Sequence, residues 1–296
     1  MEPPVSDASP QAIPPATASS DLDKNVLNVG RLPFLVCAPF FHASLGGLEG
    51  IRFVNGVPSF HNSELQAGRV DCAPSSSFEY GLHYRDYQLF PGVSTSSTME
   101  MKSVLFLSQV PWESLEGSPV GLSADSATSN VLFRILCGRR FSVKPRILSG
   151  TGEAAVAEAV GRVFIGDRAL RESLSGKWAH RYDLADVWMR WQDLPFSFGL
   201  WMVRREAMQA KADLVSRFHR SLIASLAAFR EDPGKALDAW TAAYPTNLPR
   251  DLMLGFYATA DYGFTPLHAE SLERFYRLAR EEGFLDASPA LDFAAV

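Results

Sequence analysis

Three hydroxyl-rich runs hold the side chains in this chain best suited to chemistry: DCAPSSSFEY at 71–80, STSSTMEMKSVLFLS at 94–108 and GLSADSATSNVLFRIL at 121–136. Each reads as a turn where a short apolar strand gives way to a helix. Such turns present backbone N–H groups and serine or threonine hydroxyls, and the helix N-terminus behind them carries partial positive charge. Those donors suit a carboxylate, so the chain is expected to hold a small organic anion. Ser76 and Ser77 in the first run are candidate contacts, with Ser126, Thr128 and Ser129 in the third. Helix capping is the competing use for the last three.

Other chemistries lack their residues. Cys37, Cys72 and Cys137 show no CxxC spacing, and an odd number does not build a disulfide framework, so a reducing cytoplasm is the simplest setting. The six histidines are scattered without an HExxH pattern, and the glycines form neither GxGxxG nor GxxxxGK[ST]. No metal and no cofactor is therefore the expectation. A formal net charge of −5 with no long basic run argues against nucleic acid, whose binders carry a basic face. No apolar segment approaches the roughly 18 to 20 residues of a membrane span. Residues 1–24, rich in Pro, Ala and Ser, have no basic n-region or apolar h-region, and read as a disordered extension rather than a secretory signal.

The elements that must position the hydroxyls alternate. A chain of 296 residues, 47% hydrophobic and 11% aromatic, has the length of two domains of roughly 100 to 200 residues and ample apolar content for two cores. VLNVG reads as a first strand, RLPFLVCAPFFHASL as a turn entering a helix, IRFVNG as a second strand, NSELQAGRV as a helix capped by Asn62 or Ser63, and VDCAP as the next strand. A second block runs SVLFLS, PVGLS, the helix after SATSN, an EAAVAEAV helix and RVFIGD. Leu214, Phe218, Leu222 and Leu226, then Leu272, Phe275 and Ala279, make stripes that read as core faces of closing helices. This order predicts an α/β clamp: residues 25–103 and 200–296 in one lobe, 104–199 in the other, and a ligand cleft between them.

At this point the residues resemble a family. NVGRLPFLVCAPFF, FHNSELQAGRVDCAPSSSFEY, SVLFLS, SADSATSN, FIGDRAL, WMRWQDLPFSFGLW and DYGFTPLHAESLERFYRLAREEG are similar, in the same order, to the chorismate dehydratases of the futalosine route to menaquinone. The resemblance covers nearly everything after the N-terminal tail. It implies a two-lobed, type 2 periplasmic-binding-protein-like fold and a hydro-lyase that converts chorismate to 3-[(1-carboxyvinyl)oxy]benzoate. The partner it implies is a small-molecule substrate, with neither nucleic acid nor membrane, and a homodimer is the assembly left open.

The resemblance also bears on single residues. Arg31 matches the family's arginine after the first strand, which makes it a candidate substrate contact or else a salt-bridge former. Asp167 in FIGD either orients a ligand group or caps the next helix. Trp188, Trp191, Phe196 and Trp201 read as hinge and core packing, with one aromatic reserved for the substrate ring. Where the family reads R-[IV]-S-Y-L-N-[TS], this chain reads Arg31 to Cys37 as RLPFLVC, so Val36 stands in place of the family's asparagine. Valine neither donates nor accepts a hydrogen bond. The catalytic group is thus unassigned. One account keeps a dehydratase whose base is the substrate's own enolpyruvyl carboxylate, the lost amide being replaced by Ser76, Ser77 or Asn130. The other is a non-catalytic protein of the same fold that binds a small carboxylate.

Overall fold

The structure, a computed structural model, describes residues 25–42, 48–150, 152 and 156–296. The expected extension over 1–24 lies outside them. The chain opens with β1 (Leu27–Arg31), a single 3₁₀ turn at Leu35–Cys37 and a short helix α1 (Ala38–Phe41), followed by β2 (Ile51–Asn55), α2 (Pro58–Gln66), β3 (Cys72–Ser76) and α3 (Ser77–His83). The long strand β4 (Tyr87–Ser97) precedes the second block: β5 (Val104–Ser108), β6 (Pro119–Gly121), α4 (Ala127–Ile135), β7 (Arg146–Ile147), β8 (Gly161–Ile165), α5 (Gly166–Ser173), β9 (His180–Asp183) and α6 (Leu184–Gln192). β10 (Phe196–Arg204) then leads to α7 (Arg205–Ala210), α8 (Ala212–Glu231), α9 (Pro233–Ala243), α10 (Arg250–Tyr257), β11 (Ala260–Asp261) and α11 (Pro266–Glu281).

Two sheets result. The first has six strands in the order β11-β4-β10-β3-β1-β2, and the second five in the order β7-β6-β8-β5-β9. Strands β1 to β3 run parallel, while β10 lies antiparallel between β3 and β4. The polypeptide passes from the first sheet to the second between Ser97 and Val104 and returns between Asp183 and Phe196. Every residue of β3 and of β5 is buried, as expected for strands with both faces covered.

Buried polar groups pin the first lobe. Lys211 Nζ lies 2.7 Å from Asp71 Oδ2, with both side chains almost wholly out of solvent, and also donates to the Val26 carbonyl at 2.8 Å. The same carboxylate oxygen accepts the Asn28 N–H at 2.7 Å. A buried pair is tolerated only when each charge is bonded in this way, and here it ties the α7–α8 junction to β1. The predicted stripes face the core: Phe218, Leu222 and Leu226 on α8, and Leu272, Phe275 and Ala279 on α11, are buried.

Three sequence expectations change. The run 94–108 is no strand-to-helix turn, because Ser94 to Ser97 continue β4 and the next element is β5. The Ser94 and Ser96 hydroxyls are spent inside the sheet: Ser94 Oγ lies 2.6 Å from Ser96 Oγ, which donates to Ser197 Oγ at 2.8 Å. Residues 156–158 of EAAVAEAV form a turn, and its first three residues lie outside the described ones. Asn62 and Ser63 do not cap α2, because Pro58, whose missing N–H costs nothing in a first turn, starts that helix earlier.

Candidate functional site

The 71–80 and 121–136 runs meet where the lobes touch. Thr128, fully buried in the first turn of α4, reaches across to the start of α3. Its Oγ1 accepts the Phe78 N–H at 2.9 Å and lies 2.7 Å from Ser76 Oγ and 3.2 Å from Ser77 Oγ. One hydroxyl thus joins two helix starts from different sheets. Ser126 caps α4, accepting the Ser129 N–H at 3.2 Å, and the two hydroxyls lie 2.8 Å apart.

In front of this junction lies a cavity of about 90 Å³. Its polar wall carries Ser75, Ser76, Thr95, Ser103, Ser126 and Ser129, and its apolar wall includes Phe34, Val36, Ile165 and Phe198. Ser126 and Ser129 share one proton between them, which leaves the other free to point at a ligand. The α4 N-terminus adds partial positive charge at the same place. Gly166, at φ +59°, also lines the cavity, and a Cβ there would sit 3.7 Å from the Phe34 ring. A larger groove of about 660 Å³ shares Phe34, Asp125 and Ile165 with the cavity and extends to Asp167, Arg171, Trp240 and Tyr244. Small-molecule sites occupy roughly 300 to 1,000 Å³, so the inner cavity by itself is that of closely held lobes.

The predicted contacts are therefore split. Ser76, Ser126 and Ser129 line the cavity, whereas Ser77 and Thr128 are buried behind it and bonded to each other. Arg31 is not on this cavity. It lines a separate hollow of about 30 Å³, with its guanidinium 5.3 Å from the Phe41 ring and 5.9 Å from the Phe53 ring. Asn130 is also committed: its side chain accepts the Ser123 N–H at 3.0 Å and donates to the Ser123 carbonyl at 2.8 Å. Trp188, Trp191, Phe196 and Trp201 do not line the cavity. Trp188 donates to Ser271 Oγ at 3.0 Å within an aromatic cluster that includes Phe196. The aromatic side chains on the wall are Phe34 and Phe198, which sequence reasoning had left in the turn and the return strand.

Asp167 neither caps α5, whose cap is Ile165, nor lines the inner cavity. Its Oδ1 instead accepts the Leu35 N–H at 3.3 Å, a bond from one lobe to the other. Burial pushes its carboxyl up to about 6, against the pull of that bond and of Arg171. An unfolded aspartate titrates near 3.9, so the folded protein keeps this proton to higher pH. The stability contribution is fully present below about 3.9 and is lost as the pH rises through about 6. Asp167→Asn keeps an acceptor for Leu35 but does not ionise. Between pH 4 and pH 7, urea unfolding should show the native chain losing about 1 to 3 kcal/mol relative to this variant. Parallel pH profiles would contradict the assignment.

Two α/β sheets crossed twice by the chain, with a hydroxyl-walled cleft between them, define the periplasmic-binding-protein fold. Solved structures of like shape include a protein of Archaeoglobus fulgidus, at TM-score 0.69 and 18% identity over 88% of this chain and 99% of that one. The periplasmic aliphatic sulphonate binding protein of Escherichia coli follows at TM-score 0.64 and 13% identity, over 89% and 94% of the two chains. A Candida albicans protein described as having the generic periplasmic binding protein fold gives TM-score 0.61 and 11% identity, over 89% and 92%. The sequence narrows the class further: residues 27–281 match the menaquinone biosynthesis family model, and the chain belongs to that family. A chorismate dehydratase of Thermus thermophilus is 29% identical over 181 residues, covering 56% of this chain and 66% of that protein, just under two thirds of its length.

Proposed function

We propose that this protein is a chorismate dehydratase, a hydro-lyase of the futalosine route acting in the cytoplasm. The observation that carries the reading is the cavity at the α4 N-terminus, walled by serines on one side and by Phe34, Val36 and Phe198 on the other, in a member of the menaquinone biosynthesis family. Among the described residues no helix is long and apolar enough to cross a membrane. All three cysteines are free and buried, which suits a reducing compartment.

The geometry fits the substrate's chemistry. Chorismate has a cyclohexadiene ring and two carboxylates. In this reading Ser126, Ser129 and the α4 N-terminus hold one carboxylate, and Phe34 and Phe198 on the cavity wall contact the ring. The C3 proton is acidified through the conjugated ring carboxylate, and its loss together with the C4 hydroxyl makes the ring aromatic. Aromatisation supplies the driving force. The protein's tasks are to orient the C3–H bond, assist hydroxide departure and suppress rearrangement of the enolpyruvyl group. Admission of so large a ligand requires the lobes to part and close again, a hinge motion.

The expected result is that purified protein incubated with chorismate and EDTA yields 3-[(1-carboxyvinyl)oxy]benzoate, seen by chromatography. Binding without conversion would leave a carboxylate-binding protein in place of the enzyme.

A further inference from the structure

We propose that Ser75 recognises the C4 hydroxyl of the bound substrate by accepting a hydrogen bond from it, and that Asn62 is the positioning residue that turns Ser75 to this task. The assignment rests on the dehydratase reading and names the group that tells chorismate from its dehydrated product.

Ser75 is the fourth residue of β3 and is almost wholly buried. It lines the inner cavity beside Pro74, Ser76 and Pro58, the first residue of α2. Asn62 stands four residues after Pro58, on the same face of that helix. Its side-chain oxygen accepts the Ser75 hydroxyl, and this is the side-chain hydrogen bond that Asn62 makes among the described residues. The asparagine that does not cap α2 is thus committed to a serine of the cavity wall.

That contact fixes a direction. A hydroxyl has one proton and two lone pairs, so with its proton on Asn62 Oδ1, Ser75 turns only lone pairs to a ligand. Its neighbours differ. The Thr95 and Ser103 hydroxyls bond to no described residue, and one member of the Ser126–Ser129 pair is free to donate. Ser76 Oγ lies 2.7 Å from Thr128 Oγ1, and either oxygen can be the donor. Among the described hydroxyls of the wall, Ser75 alone is fixed as an acceptor.

Chorismate has the complementary pattern. At neutral pH its two carboxylates are ionised and its ether oxygen carries no proton, so the C4 hydroxyl is its only donor. A carboxylate against Ser75 would set lone pairs against lone pairs, whereas the C4 hydroxyl makes a hydrogen bond there. Donation to Ser75 also fixes rotation about the C4–O bond. The lone pairs of the C4 oxygen then face away from that wall, open to the proton with which it leaves as water. The product has lost this hydroxyl and leaves the Ser75 acceptor without a partner, which favours its release.

The test reads kcat/KM for chorismate against the association constant of 3-[(1-carboxyvinyl)oxy]benzoate, measured by titration calorimetry, because both ligands carry the same two carboxylates. In Ser75→Ala the enclosed substrate hydroxyl loses its acceptor, and the ratio should fall about 10- to 100-fold. Asn62→Ala leaves the cavity wall in place but frees the Ser75 proton, and should lower the ratio about tenfold. Asn62→Asp still accepts that proton and should restore most of the loss, with any effect of the added charge shared by both ligands. A purely structural role would weaken both ligands alike. A ratio within about threefold of native in Ser75→Ala would overturn the assignment and leave the dehydratase reading standing, and failure of Asn62→Asp to restore the ratio would overturn the role given to Asn62. A native protein that binds chorismate without converting it would overturn the dehydratase reading instead. Calorimetry with the two ligands then gives the same ratio, whose loss in Ser75→Ala supports recognition of the hydroxyl and whose retention overturns it.

Discussion

Thr128→Val will destabilise the fold by about 2 to 4 kcal/mol, although it keeps the side chain's shape. The Thr128 hydroxyl is fully buried and meets three groups of the other lobe: the Phe78 N–H and the Ser76 and Ser77 hydroxyls. Valine fills the same space but cannot accept from any of them. Each buried polar group left without a partner costs about 1 to 3 kcal/mol, and the serine hydroxyls can recover part of this by turning to neighbouring carbonyls. Because the bonds cross between sheets, the loss also loosens the lobe contact behind the cavity. Urea unfolding provides the measurement. A loss below about 1 kcal/mol would mean that Thr128 is a bystander at the junction.

Val36→Asn will raise kcat by about 10²-fold. Val36 lies in the 3₁₀ turn Leu35–Cys37 and contributes to the apolar wall, where a ligand oxygen finds no donor. An amide aimed at charge developing in a transition state is worth about 10² to 10³ in kcat when removed elsewhere. Here it would enter a cavity already lined with serine hydroxyls, so its own polar atoms would have partners when no ligand is bound. The expected price in stability is about 1 kcal/mol, from imperfect burial of the amide. An unchanged rate in a well-folded variant would show that position 36 does not face the reacting atoms.

Much of the fold was legible because its strands are short apolar runs bounded by turn residues. VLNVG, IRFVNG, SVLFLS and RVFIGD correspond closely to β1, β2, β5 and β8. The failures have physical causes. Ser94 to Ser97 have the composition of a turn, yet they form strand because their hydroxyls find partners across the sheet, including Ser197 more than a hundred residues away. No local pattern reveals a partner so distant. EAAVAEAV carries strong helix formers, and its described part is nonetheless a turn that packs Val156 into the second lobe.

The site was legible by residue type and less so by direction. Hydroxyls at the starts of α3 and α4 were readable from strand-to-helix spacing, but not which would face the cavity. Along the start of α4, Ser126 and Ser129 point forward and Thr128 back, because helical neighbours project about 100° apart. Arg31 was singled out by its place following the strand read at VLNVG, and it is the last residue of β1, with its guanidinium packed on Phe41 and Phe53.

The most direct measurement is a single turnover with protein in excess over chorismate, quenched at intervals and read by proton NMR. Excess protein removes slow product release from the result, so chemistry in the cleft is seen by itself. The account predicts loss of the ring C3 and C4 proton signals and growth of a 1,3-disubstituted benzene pattern with the vinyl signals retained, in the presence of EDTA. Chorismate that remains bound and unchanged after many times the binding half-life would contradict it.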